Sequence, residues 1–393
     1  MPSVINTNLP SLNTQRNLNT SQASLATSIQ RLSSGLRVNS AKDDAAGLAI
    51  AERMNAQVRG LNVAARNAND GVSLAQTAEG ALGKIGDMVQ RIRELSVQSS
   101  NATNSTNDRI ALHEEVKQLQ SEIQRLATTT NFNGTTLLAG SFADMAFQVG
   151  ADAGQVISIA DIANTQTDTI GRVYASGATL DTADTALGAD DAATATISIT
   201  VEGLNLSAAT PPVAEAVDFT LPAASPDMTM SDRINKLVED INMSAEFAGK
   251  VTATYDASTK QVVVMSSEGG VTVASTDTGV TAGTADTTGI AIDEMDISTF
   301  AGAQKAIMQA DDALNTINSA RAMLGALQSR FENAVANIQI TAENVTAAKS
   351  RILDADFAAE TAAMTRAQIL QQAGTAMLSQ ANQIPQQVLS LLK

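Results

Sequence analysis

The chain lacks cysteine and tryptophan, and His113 is the single histidine among its 393 residues. Without cysteine there is no disulfide scaffold, no thiol nucleophile and no zinc site of the Cys/His type. The sequence also has no apolar run of roughly 18 residues, so we predict no membrane-spanning helix. The N-terminal segment has neither a basic region nor a continuous apolar stretch, which argues against a cleaved signal peptide. Any export should therefore depend on a dedicated machine.

Acidic residues are missing from both ends of the chain. No acid precedes Asp43 and none follows Glu360, although the formal net charge is −16. The negative charge is therefore concentrated in the middle of the sequence. Such a surface repels polyanions, so we expect neither nucleic acid nor an anionic membrane as a partner.

Residues suited to catalysis or metal binding are sparse. The aspartate pairs at 43–44 and 311–312 are adjacent in sequence, and neighbouring side chains on a helix point about 100° apart, so we interpret both pairs as solvated faces. The segment HEEVK has Lys117 where the helical zinc motif needs its second histidine, so His113 is predicted to lie on the surface. Glycine-rich phosphate-binding motifs are also missing. We predict no catalytic residue, no metal site and no cofactor.

Apolar residues follow helical spacing in two long blocks that contain no proline. A seven-residue recurrence is typical of coiled-coil helices, in which one apolar face packs against a partner. The first block ends in the polar stretch SSNATNSTN, residues 99–107, and an amphipathic helix follows, so an antiparallel hairpin is predicted. The apolar positions are Met54, Leu61, Ala68, Ala75, Leu82 and Val89, then Leu112, Val116, Leu119, Ile123 and Leu126, and in the C-terminal block Ala303, Ala310, Ile317, Leu324, Phe331, Ile338, Val345 and Ile352.

The spacing continues into both weakly charged ends of the chain. A long helix with one apolar face does not stand alone in water, so the C-terminal block is predicted to pack against the N-terminal hairpin. The two ends are then predicted to meet as well, and their apolar residues are our candidates for a polymerisation core. These residues are Leu18, Leu25, Ile29, Leu32 and Leu36 near the N-terminus, and Leu370, Met377, Ile384, Val388 and Leu391 near the C-terminus.

Two arrangements of the ends are compatible with this pattern. A single helix pair covers only one face of each helix, whereas many copies side by side cover more. We therefore predict that both ends are largely disordered in the monomer and fold on self-association. The alternative is an intramolecular helical hairpin that is ordered before assembly.

The middle of the sequence has a different character. Residues 176–290 are rich in Ala, Thr, Ser, Gly and Asp, and TATISITV (194–201) alternates as a strand does. The later segments AVDFTLPAA, MSDRINKLVEDI and KVTATYDASTKQVVVMS predict a strand, a helix and a hairpin. Residues 130–150 predict short strands around an Asn-Gly turn. The predicted fold is mainly α: a long coiled-coil-like helical rod built from both chain ends, with a central β-rich (α+β) outer domain.

Several segments resemble bacterial flagellin. They include NTNLPSLNTQRNL, RLSSGLRVNSAKDDAAGLAI and FNGTTLLAG, then LGALQSRFENAVANIQITAENVTAAKSRILDADFAAETA and ILQQAGTAMLSQANQIPQQVLSLL. The resemblance covers about 1–150 and 295–393 and implies a filament of stacked subunits. The domains that it implies are an inner helical polymerisation domain (1–42 and 355–393), a helical rod domain with short capping strands (43–175 and 291–354) and a variable outer α+β domain (176–290).

The resemblance also implies a location and a set of partners. The chain would be a homo-oligomer in the extracellular filament of the bacterial flagellum, exported unfolded through the flagellar type III channel. An export chaperone would bind the C-terminal segment, and a filament cap and hook-filament junction proteins would contact the assembled subunit. Neither nucleic-acid binding nor membrane insertion is expected.

A receptor surface on the rod is a further implication. Toll-like receptor five of vertebrate hosts recognises the family, and the matching positions are Arg91, Leu95 and Glu115. The residues alone leave an alternative open, in which Arg91 and Glu115 are exposed rod charges and Leu95 belongs to the apolar face.

The function that we expect from the sequence is structural. The chain would be a filament subunit that acts in swimming motility by polymerising, and it would not be an enzyme. A hook-filament junction protein or a surface adhesin is the alternative.

Overall fold

The computed structural model describes residues 7–142, 144–180, 196–201, 215–220, 230–244, 247, 250–256, 261–267, 269–275, 280–281 and 289–390. The internal contacts of the chain divide it into two compact units. Unit 1 comprises Met1–Asn69, Gln148–Val156 and Asn333–Lys393, and unit 2 comprises Asp70–Phe147 and Ile157–Glu332. The three-part division into inner, rod and outer domains stays a prediction.

Long helices come from both parts of the chain, and short strands lie between them. The helices are α1 (Leu9–Ser34), α2 (Ala45–Ser99), α3 (Thr106–Thr129), α4 (Met230–Met243), α5 (Phe300–Leu353) and α6 (Phe357–Ser390), with a short 3-10 helix at Ile292–Glu294. The strands are β1 (Asn131–Phe132), β2 (Thr135–Thr136), β3 (Met145–Gln148), β4 (Val156–Ile159), β5 (Tyr174–Leu180), β6 (Thr196–Val201), β7 (Glu215–Thr220), β8 (Val251–Asp256), β9 (Gln261–Ser266), β10 (Val271–Ser275) and β11 (Val280–Thr281).

In unit 2 the residues with seven-residue spacing form the helical core. From Ala303 to Phe331 every seventh residue of α5 is buried, and so is every seventh residue of α2 from Ala75 to Val89. The α2 segment contacts α5 where Arg93 forms an ion pair with Asp311 and where Gln328 donates to Glu79 at 2.8 Å. The predicted apolar face of this rod is confirmed.

The α2–α3 hairpin is confirmed within the same unit. The helix α3 begins in a capping box, because the Ser105 hydroxyl accepts from the Asp108 N–H while the Asp108 carboxylate accepts from the Ser105 N–H. Arg91 of α2 then meets Glu115 of α3, on opposite sides of the 100–105 turn. In an antiparallel hairpin, residues at similar distances from the turn lie opposite each other, as Arg91 and Glu115 do here.

The β-rich part of unit 2 is built from two antiparallel sheets and α4. The sheet orders are β10-β6-β7 and β11-β5-β9-β8. One core joins them: alternate residues of β6, from Ile197 to Val201, are buried together with Leu237 of α4 and Val264 of β9. The predicted sequence of strand, helix and hairpin is confirmed by β7, α4 and the β8–β9 pair.

The chain segment that returns from this β-rich part is fastened by buried polar side chains. Val173 and Ile290 exchange two backbone hydrogen bonds, of 3.0 and 2.9 Å. The amides of Gln120 and Gln309 and the hydroxyl of Ser99 then donate to backbone carbonyls within residues 290–297. Because these backbone carbonyls accept hydrogen bonds, the irregular segment 290–297 can be buried against the helices.

Unit 1 contains the pair of α1 and α6 together with the adjoining ends of α2 and α5. Leu61, Ala64 and Ile338 are the buried residues of a small core, and Val149 and Ala151 pack against it. The predicted fold class is confirmed: mainly α, with long helices from both parts of the chain and a β-rich insert. Within the described ranges we find no helical segment with the length and hydrophobicity of a membrane span.

Candidate functional site

The candidate site is the helix pair of α1 and α6 in unit 1. The helix α1 begins at a cap in which the Asn8 side chain accepts from the Ser11 N–H, and it ends at Gly35, whose φ of 71° is left-handed. The helix α6 begins after Asp356, whose carboxylate accepts from the N–H groups of Ala358 and Ala359. The local sequence therefore sets where both helices start.

Small residues form the buried interface of the pair. In α1 the buried residues are Ser11 and Ser28, and in the part of α6 whose side chains are described they are Ala367 and Ala381. Gly374 allows an equally close approach, because a Cβ placed there would lie 3.3 Å from Cδ1 of Leu18. An interface of small residues brings the helices close together but buries little apolar surface.

Large apolar residues of both helices remain accessible instead. In α6 Leu370 is 52% exposed and Met377 is 62% exposed. Monomeric proteins rarely leave so many large apolar side chains in solvent without an interaction that covers them. The exposed members of the pair are Leu9, Leu12, Ile29, Phe357, Ile369, Leu370 and Met377.

The structure separates the ten predicted core residues into groups. Leu18, Leu25, Leu32 and Leu36 are half-buried, whereas Ile29, Leu370 and Met377 are exposed. The pairing of α1 and α6 within one chain therefore leaves these three residues largely uncovered. The role of the ten residues as a polymerisation core stays a prediction. Ile384 and Val388 lie within α6, but their side chains are outside the described part of the chain, and Leu391 lies outside the described residues.

Sequence reasoning missed Leu9, Leu12, Phe357 and Ile369, which add to the exposed surface. They lie off the seven-residue spacing that we followed. For Leu9 and Leu12 the signal in the sequence is the scarcity of charge, because Arg16 is the first charged side chain of the chain. An exposed apolar residue without nearby charges suits a surface that becomes dry. Phe357 lies between Asp356 and Glu360, so its surroundings give no such signal.

Polar contacts at both ends of the pair set its register. At one end Asn8 donates to the carbonyl of Ala381 at 2.9 Å, and Ser11 donates to Asn382 at 2.9 Å. At the other end the guanidinium of Arg31 lies 3.8 Å from the carboxylate of Glu360. The apolar faces are thus held in a fixed orientation relative to each other.

A hydrogen-bonded joint follows where both helices connect to the rest of the unit. Leu36 and Asp354 form an antiparallel bridge, and the Ala355 N–H donates to the Gly35 carbonyl at 3.0 Å. The Arg37 side chain donates to the carbonyl of Ile352 at 2.8 Å. Because both connections are tied to each other, α1 and α6 leave the joint together.

The three predicted receptor residues have different environments in unit 2. The Arg91 guanidinium lies 2.9 Å from Glu115 and 3.1 Å from Glu94, and these exposed carboxylates raise the pKa of Arg91, through the hydrogen bond to Glu94 first. Leu95 is 1% exposed and belongs to the core of the helices. The receptor role of these three residues stays a prediction.

The residues considered for chemistry have structural partners. His113 is largely buried, with its side chain 14% exposed and Nδ1 3.6 Å from Asp296, so its predicted surface position is wrong. Asp43 accepts from Ser40, whose hydroxyl lowers the pKa of that carboxyl, and Asp311 is paired with Arg93 rather than simply solvated. Within the described ranges no group of three His, Cys, Asp or Glu side chains is arranged to hold a metal ion.

Comparison with known proteins gives the same family at both ends of the chain. The bacterial flagellin N-terminal helical region matches residues 5–143, and the bacterial flagellin C-terminal helical region matches residues 307–392. Flagellin B of Vibrio cholerae is 40% identical over 390 residues, and flagellin D of Vibrio anguillarum is 41% identical over 396 residues, each over 99% of both chains.

Among solved structures, FliC from Burkholderia pseudomallei aligns with 66% of this chain and 99% of its own, at 25% identity and a TM-score of 0.36. The family is established by the sequence relatives, which match along nearly the whole chain. The chain therefore belongs to the bacterial flagellins, and it is a structural subunit of the extracellular flagellar filament rather than an enzyme.

Proposed function

We propose that α1 and α6 form the polymerisation domain, and that their exposed apolar faces pack against sister molecules in the inner core of the filament. The observation that carries this proposal is that Leu370 and Met377 are more than half exposed, while the fully buried residues in the described part of the pair are small. Several copies side by side would remove these side chains from water. Because α6 has few charges, close packing would desolvate few charged groups.

The domain assignment belongs to the same proposal. The inner domain would comprise 1–42 and 355–393, the rod 43–175 and 291–354, and the outer domain 176–290. The joint between Leu36 and Asp354 supports the first boundary, because α1 ends and α6 begins beside it. The bridge between Val173 and Ile290 supports the second boundary.

Export in an unfolded state through the flagellar type III channel is part of the proposed life of the chain. The sequence has no cysteine, so no disulfide has to form or break during passage. We propose that a flagellar chaperone binds the C-terminal segment first, since the apolar face of α6 needs a cover before assembly. The filament cap and the hook-filament junction proteins would then contact the same surfaces at the two ends of the filament.

Swimming motility is the proposed role of the assembled filament. Apolar faces with seven-residue spacing can pack in more than one register, and mixtures of packings would curve a tube into a helical propeller. A strain that expresses this chain as its one flagellin should swim. Straight filaments on cells that do not swim would support polymerisation and contradict the proposed role in motility.

Seeded growth tests the polymerisation proposal. Purified full-length chain added to filament fragments should extend them into long filaments, and a variant without the last thirty residues should not. Long filaments from the truncated variant would contradict the proposal. Short complexes that stop growing from the full chain would instead indicate the hook-filament junction protein, and binding to surfaces without growth would indicate an adhesin.

Recognition by Toll-like receptor five is a second proposal for the rod. Arg91 and Glu115 are both about half exposed, and their ion pair joins the surfaces of α2 and α3. Leu95, the third residue of the assignment, is buried in the same unit. The double variant Arg91→Gln with Glu115→Gln should reduce signalling in receptor-bearing reporter cells by at least about tenfold. Lys84→Gln, on the same helix and also in an exposed ion pair, should leave signalling unchanged. Equal signalling from the natural chain, the double variant and Lys84→Gln would refute the assignment of Arg91 and Glu115 to the receptor surface.

A further inference from the structure

A groove in unit 1 lies away from the α1–α6 pair. It has a volume of about 450 Å³ and is open at the surface beside the beginning of α2. Its lining mixes apolar and polar side chains, and Ile50 there is 37% exposed. The residues used below are Ile50, Arg53, Met54 and Ala56 of α2, with Ala151 and Asp152 from the loop that follows β3.

The loop that forms one wall of the groove is held firmly in place. Asn67 of α2 donates to the Gln148 carbonyl at 3.1 Å, and the Val149 N–H donates to the Gln155 carbonyl at 2.8 Å. Gly60 lets the loop approach α2 closely, because a Cβ there would lie 3.0 Å from the Cβ of Ala151. The groove is therefore formed before any partner arrives, which lowers the entropic cost of binding.

A matching projection lies elsewhere on the same unit. Ile340 of α5 is 58% exposed, although Ile338, two residues away, belongs to the buried core. Glu343 is one helical turn further along the same face of α5. A large apolar side chain next to an acid is thus presented on a rigid helix.

The charges beside the groove and the projection are complementary. Arg53 is exposed at the groove, Glu343 is exposed beside Ile340, and neither has an ion-pair partner within the described part of the chain. The other charge at the groove, Asp152, accepts from the side-chain amide of Gln155. Among the lining residues Arg53 is the one that carries a positive charge, and it is the group that would attract an incoming acid.

We propose that the groove receives Ile340 of a second copy of this chain, with Glu343 of that copy beside Arg53. A groove and a projection at different places on one chain make a head-to-tail contact, which generates an open assembly instead of a closed dimer. This inference rests on the proposed polymerisation and adds a specific contact outside the α1–α6 core. The occupant is a sister subunit, since the filament places copies side by side.

Cysteine pairs test the contact directly, because the natural chain has no cysteine. The full chain with Ala56→Cys and Ile340→Cys is grown from seeds under reducing conditions, then oxidised and separated without reductant. We expect a ladder of covalent multimers in filaments and none in the dilute unassembled protein. The matched control replaces Ile340→Cys with Val63→Cys, an exposed valine on α2 that does not line the groove; it should give no ladder.

Filaments without a ladder, or a ladder equal to that of the control, would overturn the contact while leaving polymerisation intact. Failure of the natural chain to grow at all would instead refute the proposed function. If the reduced double variant does not grow, the charge reversals described next decide the question.

Charge reversal is the second test. Arg53→Glu and Glu343→Arg should each raise the critical concentration for seeded growth by about tenfold, and the double reversal should restore it to within about twofold of the natural chain. Unchanged growth of both single variants, or no rescue in the double variant, would overturn the pairing. Closed dimers in place of filaments would overturn its head-to-tail geometry.

Discussion

In α5 the residues spaced by seven from Ala303 to Phe331 are buried, whereas in α6 Leu370 and Met377, at the same spacing, are more than half exposed. The two regions differ in how many other helices each helix packs against. In unit 2 the α2 segment contacts both α3 and α5, whereas α1 and α6 contact each other through small residues. The comparison teaches that apolar spacing identifies the face of a helix that will be covered, but it does not say whether the same chain covers it.

The largest expected effect concerns assembly. The double variant Leu370→Gln with Met377→Gln places polar groups on faces that become dry in the filament, so seeded growth should be lost. The unfolding free energy of the monomer should change by less than about 0.5 kcal/mol per site, because both residues are exposed. Growth is followed by light scattering, with Val63→Gln as an exposed control that should grow normally. Normal growth of the double variant would mean that these two residues do not belong to the polymerisation core.

The next effect concerns the rod. Leu324→Ala removes a fully buried side chain of α5 and should cost about 2–5 kcal/mol in the unfolding free energy. The same substitution at the exposed Leu370 should cost about 0.5 kcal/mol or less. Urea unfolding of the dilute monomers compares the two directly. Similar losses would mean that α6 is as well covered in the monomer as α5.

A smaller effect concerns the fit between α2 and α5. A Cβ at Gly71 would lie 2.8 Å from Cζ of Phe331, whose ring is held edge-on by Phe147 at a centroid distance of 5.6 Å. Gly71→Ala should therefore cost about 1–3 kcal/mol through overpacking, against a helix-propensity gain of about 0.5–1 kcal/mol. Gly80, also in α2, has open space around it, and Gly80→Ala should stabilise the protein by up to about 1 kcal/mol. Unfolding of both variants checks the sign, and a stabilised Gly71→Ala would contradict this fit.

The smallest effect concerns the start of α3. The hydroxyl of Ser105 lowers the pKa of the Asp108 carboxyl. At a pH above the ordinary pKa of aspartate the ionised carboxylate stabilises the start of α3. This stabilisation is lost as the pH falls through the lowered pKa of Asp108. Amide exchange of the first turn of α3 should therefore speed up, relative to the intrinsic rate, on acidification. In Asp108→Asn this extra dependence on pH should disappear. An unchanged dependence in the variant would mean that another group titrates.

The helices could be predicted from the sequence because their period follows from backbone geometry. The spacing from Ala303 to Phe331 identified the buried face of α5, and the polar stretch at 99–107 located the turn before α3. The β-rich insert was also predictable, since Ile197 and Ile199 alternate with polar residues and are buried.

The rest depended on contacts between distant segments. His113 is largely buried beside Asp296, which lies far along the chain. The small-residue interface of α1 and α6, with Ser28 and Ala367, has no strong apolar pattern to mark it. The groove walled by Ala151 exists only because the loop after β3 returns to α2.

The relation between order and assembly at the chain ends is the central claim. In the structure α1 and α6 are helices paired within one chain, which is the second of the two arrangements considered. In the described part of the pair the leucines of α1 are half-buried, and the fully buried residues are small. Such a pair gains little apolar burial to offset the conformational entropy of two long helices. We therefore predict that the free monomer opens this pair readily and that the filament holds it closed.

Amide hydrogen exchange of the dilute monomer and of the filament is the most direct measurement. The account predicts fast exchange of residues 9–34 and 357–390 in the monomer, strong protection of the same residues in the filament, and strong protection of residues 300–332 in both states. Terminal helices as well protected in the dilute monomer as in the filament would contradict it.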